Sequence, residues 1–175
     1  MSGGHGSLHV LGPYSAETVT PIEDPKLAAE IEAVAASYTE RRAALLPALH
    51  KVQRKYGHIS VAAQAFVAGV LGLPASHVQG VVSFYTLFQT RPTGKYHIQV
   101  CRTLSCALGG NEEVIAHLGR KLGIGPGETT SDGKFSLVLV ECLGACGYAP
   151  MFQLNDDYHE NLTIESIDRL LDSLA

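Results

Sequence analysis

No apolar run in this 175-residue sequence reaches the roughly eighteen residues needed to cross a bilayer, so direct membrane insertion is not expected. Basic residues are few. The formal net charge is -4, and beyond Arg41-Arg42 and the scattered Lys51, Arg54 and Lys55 no Lys/Arg block appears, which argues against a nucleic-acid partner. The opening MSGGHGSLHVLGPYSAETV has no basic segment leading into an apolar one and does not read as a secretory signal; a cytoplasmic location, or one on the cytoplasmic face of a membrane, is expected. No GxGxxG follows a strand pattern, which leaves the chain without a nucleotide fingerprint of its own. Cysteine is scarce too, with four in the chain and no CxxC pair, which speaks against thioredoxin-type thiol exchange. In a reducing compartment four such cysteines read as ligands or buried fillers rather than as disulfides.

What is present is a folding composition. Hydrophobic residues make up 46% and charged residues 17%, enough for one ordinary domain or for a modest core preceded by a small helical part. Residues 1–24, rich in Gly, Ser, Pro and His with little periodicity, read as a flexible N-terminal extension. Residues 25–90 read as a helical bundle. Leu27, Ile31, Val34 and Ala35 recur at helix spacing behind Pro25; Leu45, Leu49, Val52 and Tyr56 form a second pattern over 41–56, in which Pro47 marks either a start or a bend. Ser60 is placed to cap a third helix closed by Gly72, and Pro74 to open a fourth through Val78, Val81, Val82, Tyr85 and Phe88.

From residue 91 to 175 the period changes. Tyr96, Ile98 and Val100 alternate with His97 and Gln99, predicting a strand that ends at Cys101; Val114, Ile115, Leu118 and Leu122 predict a helix, and Phe135 to Val140 a second strand. Short strands at 151–154 and 158–159 and a helix from Thr163 complete a βαββα order, the pattern of a small open α/β sheet. The spacing Thr163-Ile-Glu-Ser166 does not predict a capping box.

Cys101 and Cys106 form a C-x4-C pair, Cys142 and Cys146 a C-x3-C pair, and 35 residues separate them. Each pair follows a predicted strand, and strands of one sheet that exit at nearby edges bring the two loops together. Four converging thiolates point to a tetrahedral sulfur site, zinc or iron–sulfur. Structural zinc favours C-x2-C knuckles, whereas two-iron clusters accept wider spacings such as C-x4-C. Spacing thus favours a cluster over a zinc staple, with unligated or disulfide-forming cysteines as the remaining reading. Glycines at 109, 110, 144 and 147 allow backbone N–H groups close to the sulfurs, and a helix beginning at Gly110 or Asn111 aims its positive end at the same region. Phe84, Tyr85 and Phe88 read as core fillers rather than as a docking surface, and His50, His58, His77 and His97 as packing or surface residues. Arg102 and Lys121 read as solvated charges, and Pro150 as part of a constrained turn open to a cis bond.

Larger motifs then become specific: Leu45-Leu-Pro-Ala-Leu-His50, Gly57-His-Ile-Ser60, Leu71-Gly-Leu-Pro74, Phe84-Tyr-Thr-Leu-Phe88, Pro92-Thr-Gly-Lys-Tyr-His97, Val100-Cys-Arg-Thr-Leu-Ser-Cys106, Gly125-Pro-Gly-Glu-Thr-Thr130 and Glu141-Cys-Leu-Gly-Ala-Cys146 before Ala149-Pro150. Over about three-quarters of its length the chain resembles the small thioredoxin-like [2Fe-2S] subunit of respiratory complex I, shared with NAD-linked hydrogenases and NAD-dependent formate dehydrogenases. The resemblance implies an N-terminal helical bundle followed by a thioredoxin-like domain. It also implies one [2Fe-2S] cluster on Cys101, Cys106, Cys142 and Cys146, and one-electron transfer without catalysis by this chain alone. FMN and NAD are then expected only in a partner subunit, with further iron–sulfur subunits beside it in a peripheral arm. Gly109 departs from the family's pattern, where a more varied and often charged residue is expected. A free-standing ferredoxin carrier and a zinc-stapled interaction module are the alternatives.

Overall fold

The computed structural model describes residues 20–174, so most of the expected N-terminal extension lies outside the described residues. Helix α1 (Pro25–Ala35) begins where the Asp24 carboxylate accepts the Leu27 N–H at 3.1 Å. The same carboxylate accepts the Tyr56 hydroxyl at 2.7 Å and pairs with Lys55, both from α2 (Leu45–Tyr56), which fastens the start of one helix to the end of the next. These partners, the Lys55 ammonium above all, hold the Asp24 carboxyl down at about 2. Pro47 stands in the first turn of α2, where the missing N–H has no helical partner to lose. The helix therefore begins just before the proline, at Leu45 after a 3-10 turn over Arg41–Ala44, with Pro47 inside its first turn.

Helix α3 (Val61–Leu71) is capped as its sequence predicts, the Ser60 hydroxyl accepting the Ala63 N–H at 3.2 Å, and α4 (Ala75–Phe84) follows after Pro74. Ile31, Leu49, Val52, Ile59, Val67 and Val78 are fully buried where these helices meet. The expected extension of α4 through Tyr85 and Phe88 does not occur. Tyr85 turns extended at φ -90° and ψ 107°, and the chain folds back so that Phe88 re-enters the helical core, its ring edge-on to His50. Core filling thus holds for Phe88 alone of the three aromatics. Phe84 is 76% exposed and Tyr85 38%.

Beyond Gly94 the chain builds a five-stranded sheet from β1 (Tyr96–Cys101), β2 (Glu128–Thr129), β3 (Phe135–Val140), β4 (Phe152–Leu154) and β5 (Asp157–His159), in the order β2-β3-β1-β4-β5. The two longest strands are parallel neighbours, registered from Tyr96 opposite Phe135 to Cys101 opposite Val140. Parallel strands need a crossover. It is supplied by α6 (Asn111–Leu122), which packs Val114 and Leu118 with Ile98, Val100 and Leu137; Ile167 and Leu171 of α7 (Ile164–Ser173) join the same cluster. The outward-alternating residues of β1, His97 and Gln99, are also buried, and neither ring nitrogen of His97 has a hydrogen-bond partner.

Three features depart from the sequence reading. Thr163 and Ser166 do form a capping box, because a serine hydroxyl at the third helical position reaches back to the Thr163 N–H at 3.0 Å in place of a longer acid. The two-residue strand β2 pairs with β3 near the Gly-Pro-Gly turn, too short to leave a periodic signal. A five-residue helix, α5 (Leu104–Leu108), encloses Cys106, where the sequence predicts only a loop.

Candidate metal centre

The parallel pairing of β1 and β3 decides where the cysteines go. Parallel strands finish at the same end of a sheet, so the loops after Cys101 and after Val140 leave side by side. The Arg102 N–H donates to the Val140 carbonyl at 3.0 Å, and the Arg102 guanidinium reaches Glu141 from Nε at 2.9 Å and from Nη2 at 2.6 Å, bridging the two exits on the solvent side. From the other side Cys101 N–H donates to the Met151 carbonyl, which ties the third chain segment to the same place.

Cys101 and Cys106 sit inside a small apolar cluster with Met151, both 2% exposed, bordered by Leu143, Ala145 and Ala149 of the second loop. The buried Asn111 side chain donates from Nδ2 to the Cys101 carbonyl at 2.8 Å, so the first residue of α6 braces the end of β1 as well as opening the helix. Thr103 Oγ1 lies 3.2 Å from Cys101 Sγ. Burial pushes the Cys106 thiol up to about 11, with the neighbouring Cys101 and Cys146 sulfurs adding to the rise. Cys101 moves the other way. Burial opposes its ionisation, yet hydrogen bonds from Thr103, the Leu143 backbone and the Cys106 thiol together bring it below the ordinary thiol value.

The second pair is built differently. Cys142 and Cys146 are exposed, their sulfurs 3.7 Å apart, and the loop between them carries Gly144 at φ +85°, a left-handed conformation that suits glycine. That geometry turns the Gly144 N–H onto Cys142 Sγ at 3.4 Å. A 3-10 turn, Cys146–Tyr148, then leads to the cis Ala149-Pro150 bond. Gly109 explains its own departure from the family pattern here: a Cβ at this position would stand 3.1 Å from Pro150 N and 3.2 Å from Ala149 Cβ. A side chain there would be in tight contact, and the Ala149-Pro150 segment would have to give by about a few tenths of an ångström.

The chemistry of the donor set fits a thiolate-ligated iron cluster. All four donors are sulfur, and two sulfurs on one tetrahedral centre at about 2.3 Å stand roughly 3.8 Å apart, close to the spacing of Cys142 and Cys146. Among the described residues no three Cys, His, Asp or Glu side chains converge tightly enough for a single ion. Cys101 and Cys106 lie in the buried apolar cluster, and Cys142 and Cys146 on the exposed loop beside it. Of the expected histidines, none lies in this cluster; His50 and His77 are exposed, His58 half-buried and His97 buried in the sheet. Arg102 is exposed and paired with Glu141, and Lys121 is paired with Asp168 and Asp172 away from the sulfurs. Sequence reasoning missed Thr103 and the Asn111 amide; Thr103 stands only two residues from Cys101, whereas the Asn111 contact spans α5 and has no local signal.

The helices and sheet are similar to known proteins. The family model for the thioredoxin-like [2Fe-2S] ferredoxin matches residues 31–175. One of the NADH-quinone oxidoreductase subunits of Rhizobium meliloti is 49% identical over 144 residues, covering 82% of this chain and 86% of that protein. NADH-quinone oxidoreductase subunit 2 of Thermus thermophilus is 49% identical over 135 residues, covering 77% of this chain and 75% of that one. Among solved structures, an air-oxidized NAD+-reducing [NiFe]-hydrogenase superposes with a TM-score of 0.64 at 27% identity over 74% of this chain, which spans 22% of the hydrogenase chain. A scaffold that delivers two cysteine pairs to one sheet end, matched over most of its length, places the chain in the thioredoxin-like [2Fe-2S] ferredoxin family.

Proposed function

We propose that Cys101, Cys106, Cys142 and Cys146 ligate one [2Fe-2S] cluster, and that the chain is the small electron-transfer subunit of an NADH-quinone oxidoreductase, seated beside a subunit that binds FMN and NADH. The observation that carries this reading is the arrangement of the sulfurs as two pairs at one end of a parallel strand pair. A zinc staple asks four thiolates to surround one ion, whereas a two-iron cluster asks two thiolates of each iron, a demand that one pair from each of two loops can meet. When bound, the cluster supplies one-electron exchange, matching a flavin that accepts two electrons from NADH to an acceptor that takes one at a time.

The residues of this chain do the rest. Burial of Cys101 and Cys106 under Met151 keeps water from half of the site, and the Thr103 and Gly144 donors aimed at sulfur stabilise negative charge there. The chain makes and breaks no substrate bond. Identity near 49% to two NADH-quinone oxidoreductase subunits, against 27% to the hydrogenase, favours quinone over hydrogen as the end of the parent assembly's path. We read residues 25–90 as the bundle that meets a fixed partner and 91–175 as the cluster domain; the separate apolar clusters of the two parts support that division.

Co-expression with an FMN- and NADH-binding subunit from the same organism tests the proposal. A complex that survives gel filtration, and in which NADH reduces the centre in this chain, is expected. A cluster-bearing chain that elutes alone and is reduced equally well with and without the flavoprotein would make it a free carrier.

A further inference from the structure

We propose that Tyr158 is a positioning residue for the cluster, acting through the peptide group that joins Leu143 to Gly144. This rests on the ligand assignment above. The Tyr158 hydroxyl donates to the Leu143 carbonyl at 2.7 Å, across fifteen residues of sequence. The amide on the other side of that same peptide, the Gly144 N–H, points at Cys142 Sγ at 3.4 Å. One planar unit is thus held at both ends, with the hydroxyl at its oxygen and the sulfur at its hydrogen.

A peptide whose carbonyl accepts a hydrogen bond becomes a stronger donor at its N–H, because the two dipoles polarise one another. The hydroxyl therefore strengthens the donor that faces Cys142 and fixes the orientation that Gly144 adopts at φ +85°. Cys142 and Cys146 are open to solvent, while Tyr158 is anchored in the sheet, with Gln153 of β4 as its antiparallel partner. Tyr158 is 48% exposed, so its ring is not retained by burial, and the hydroxyl contact is the interaction that sets its direction. Donors to a ligand sulfur favour the reduced, more negative cluster, so this hydroxyl raises the reduction potential.

The test compares the cluster-loaded wild-type chain with Tyr158→Phe and Tyr158→Leu, reading iron and sulfide content, the midpoint potential by EPR-monitored titration, and amide exchange of the 142–146 segment by mass spectrometry. Wild-type loading with iron and sulfide is the separate check on the ligand assignment; zinc in its place would sink that assignment before Tyr158 is addressed. Both variants are expected to keep full cluster content, to shift the potential downward by the same amount, less than tenfold in the one-electron equilibrium or about 59 mV, and to exchange the segment faster. Full loading with an unchanged potential overturns the proposal. A variant that no longer loads overturns it as well, because the hydroxyl would then be a strut for assembly. A shift seen in Tyr158→Leu but absent in Tyr158→Phe assigns the effect to the ring and has the same result.

Discussion

The two cysteine pairs reach the same place by opposite means. Cys101 ends a central strand and Cys106 lies in a short helix, both packed against Met151 and braced by Asn111, so the tertiary fold has already fixed them. Cys142 and Cys146 stand in solvent on a glycine loop, and their geometry rests on a few hydrogen bonds. The difference teaches that one half of the site is set by packing and the other by local backbone contacts. The buried half is built with the core; the open half faces solvent.

Removing single thiols breaks the comparison at its root. Any of Cys101→Ala, Cys106→Ala, Cys142→Ala and Cys146→Ala is expected to abolish the cluster, read as loss of iron and sulfide. In the metal-free chain, however, only the buried pair should lower thermal stability, by about 1 kcal/mol, with no measurable change at Cys142 or Cys146. Equal destabilisation from both pairs would dissolve the distinction.

Alkylation of the metal-free chain at pH 8 sharpens it. Exposed Cys142 and Cys146 are expected to react at least about tenfold faster than Cys106, whose buried thiol remains protonated until near its value of about 11. Mass-spectrometric mapping with time reads the order. The rate at Cys106 should rise about tenfold per pH unit above pH 8 and level off only near 11; uniform labelling at pH 8 would show that the buried pair opens freely.

The strand that carries Cys101 also carries a pH dependence. Burial pulls His97 down to about 4 from the ordinary 6.5, leaving it neutral when folded, while an unfolded chain takes up a proton below 6.5. Stability should therefore be full above pH 6.5 and fall as the pH drops toward 4, by about 3 kcal/mol in all. Denaturant titrations of the wild type and His97→Leu across that window check it: the variant should show a flatter profile. A wild-type curve that is level from pH 6.5 to 4 would place the imidazole in contact with water.

The smallest effect belongs to the seam between the halves. Gly109→Ala forces a methyl group against Ala149 and Pro150 and is expected to cost about 1 kcal/mol of stability. It should also slow cluster loading without abolishing it, read as iron incorporation over time. No change in either would mean that the two loops have slack.

Much of this was legible in the sequence, for reasons that differ by region. Ser60, Gly72 and the apolar spacing between them bound α3 as predicted, because capping and periodicity are local signals. The strands that lead into the two cysteine loops were equally plain, since alternation in Tyr96–Cys101 and the apolar run of Phe135–Val140 needed only neighbouring residues. Contacts made at a distance in sequence were not legible. The Tyr158 hydroxyl meets Leu143 only after β4 and β5 fold back, and Asn111 meets Cys101 only after α5 turns the chain. Phe84 failed for a related reason: a helix pattern continues to Phe88 on paper, and nothing nearby announces that the backbone leaves it at Tyr85.

The central claim is that these two pairs hold one two-iron cluster, and the most direct measurement is an EPR spectrum of the anaerobically purified, dithionite-reduced chain together with iron, sulfide and zinc analysis. The account predicts the signal of one unpaired electron, with about two irons and two sulfides per chain. About one zinc per chain, no iron and no signal would contradict it and leave a metal-stapled structural subunit.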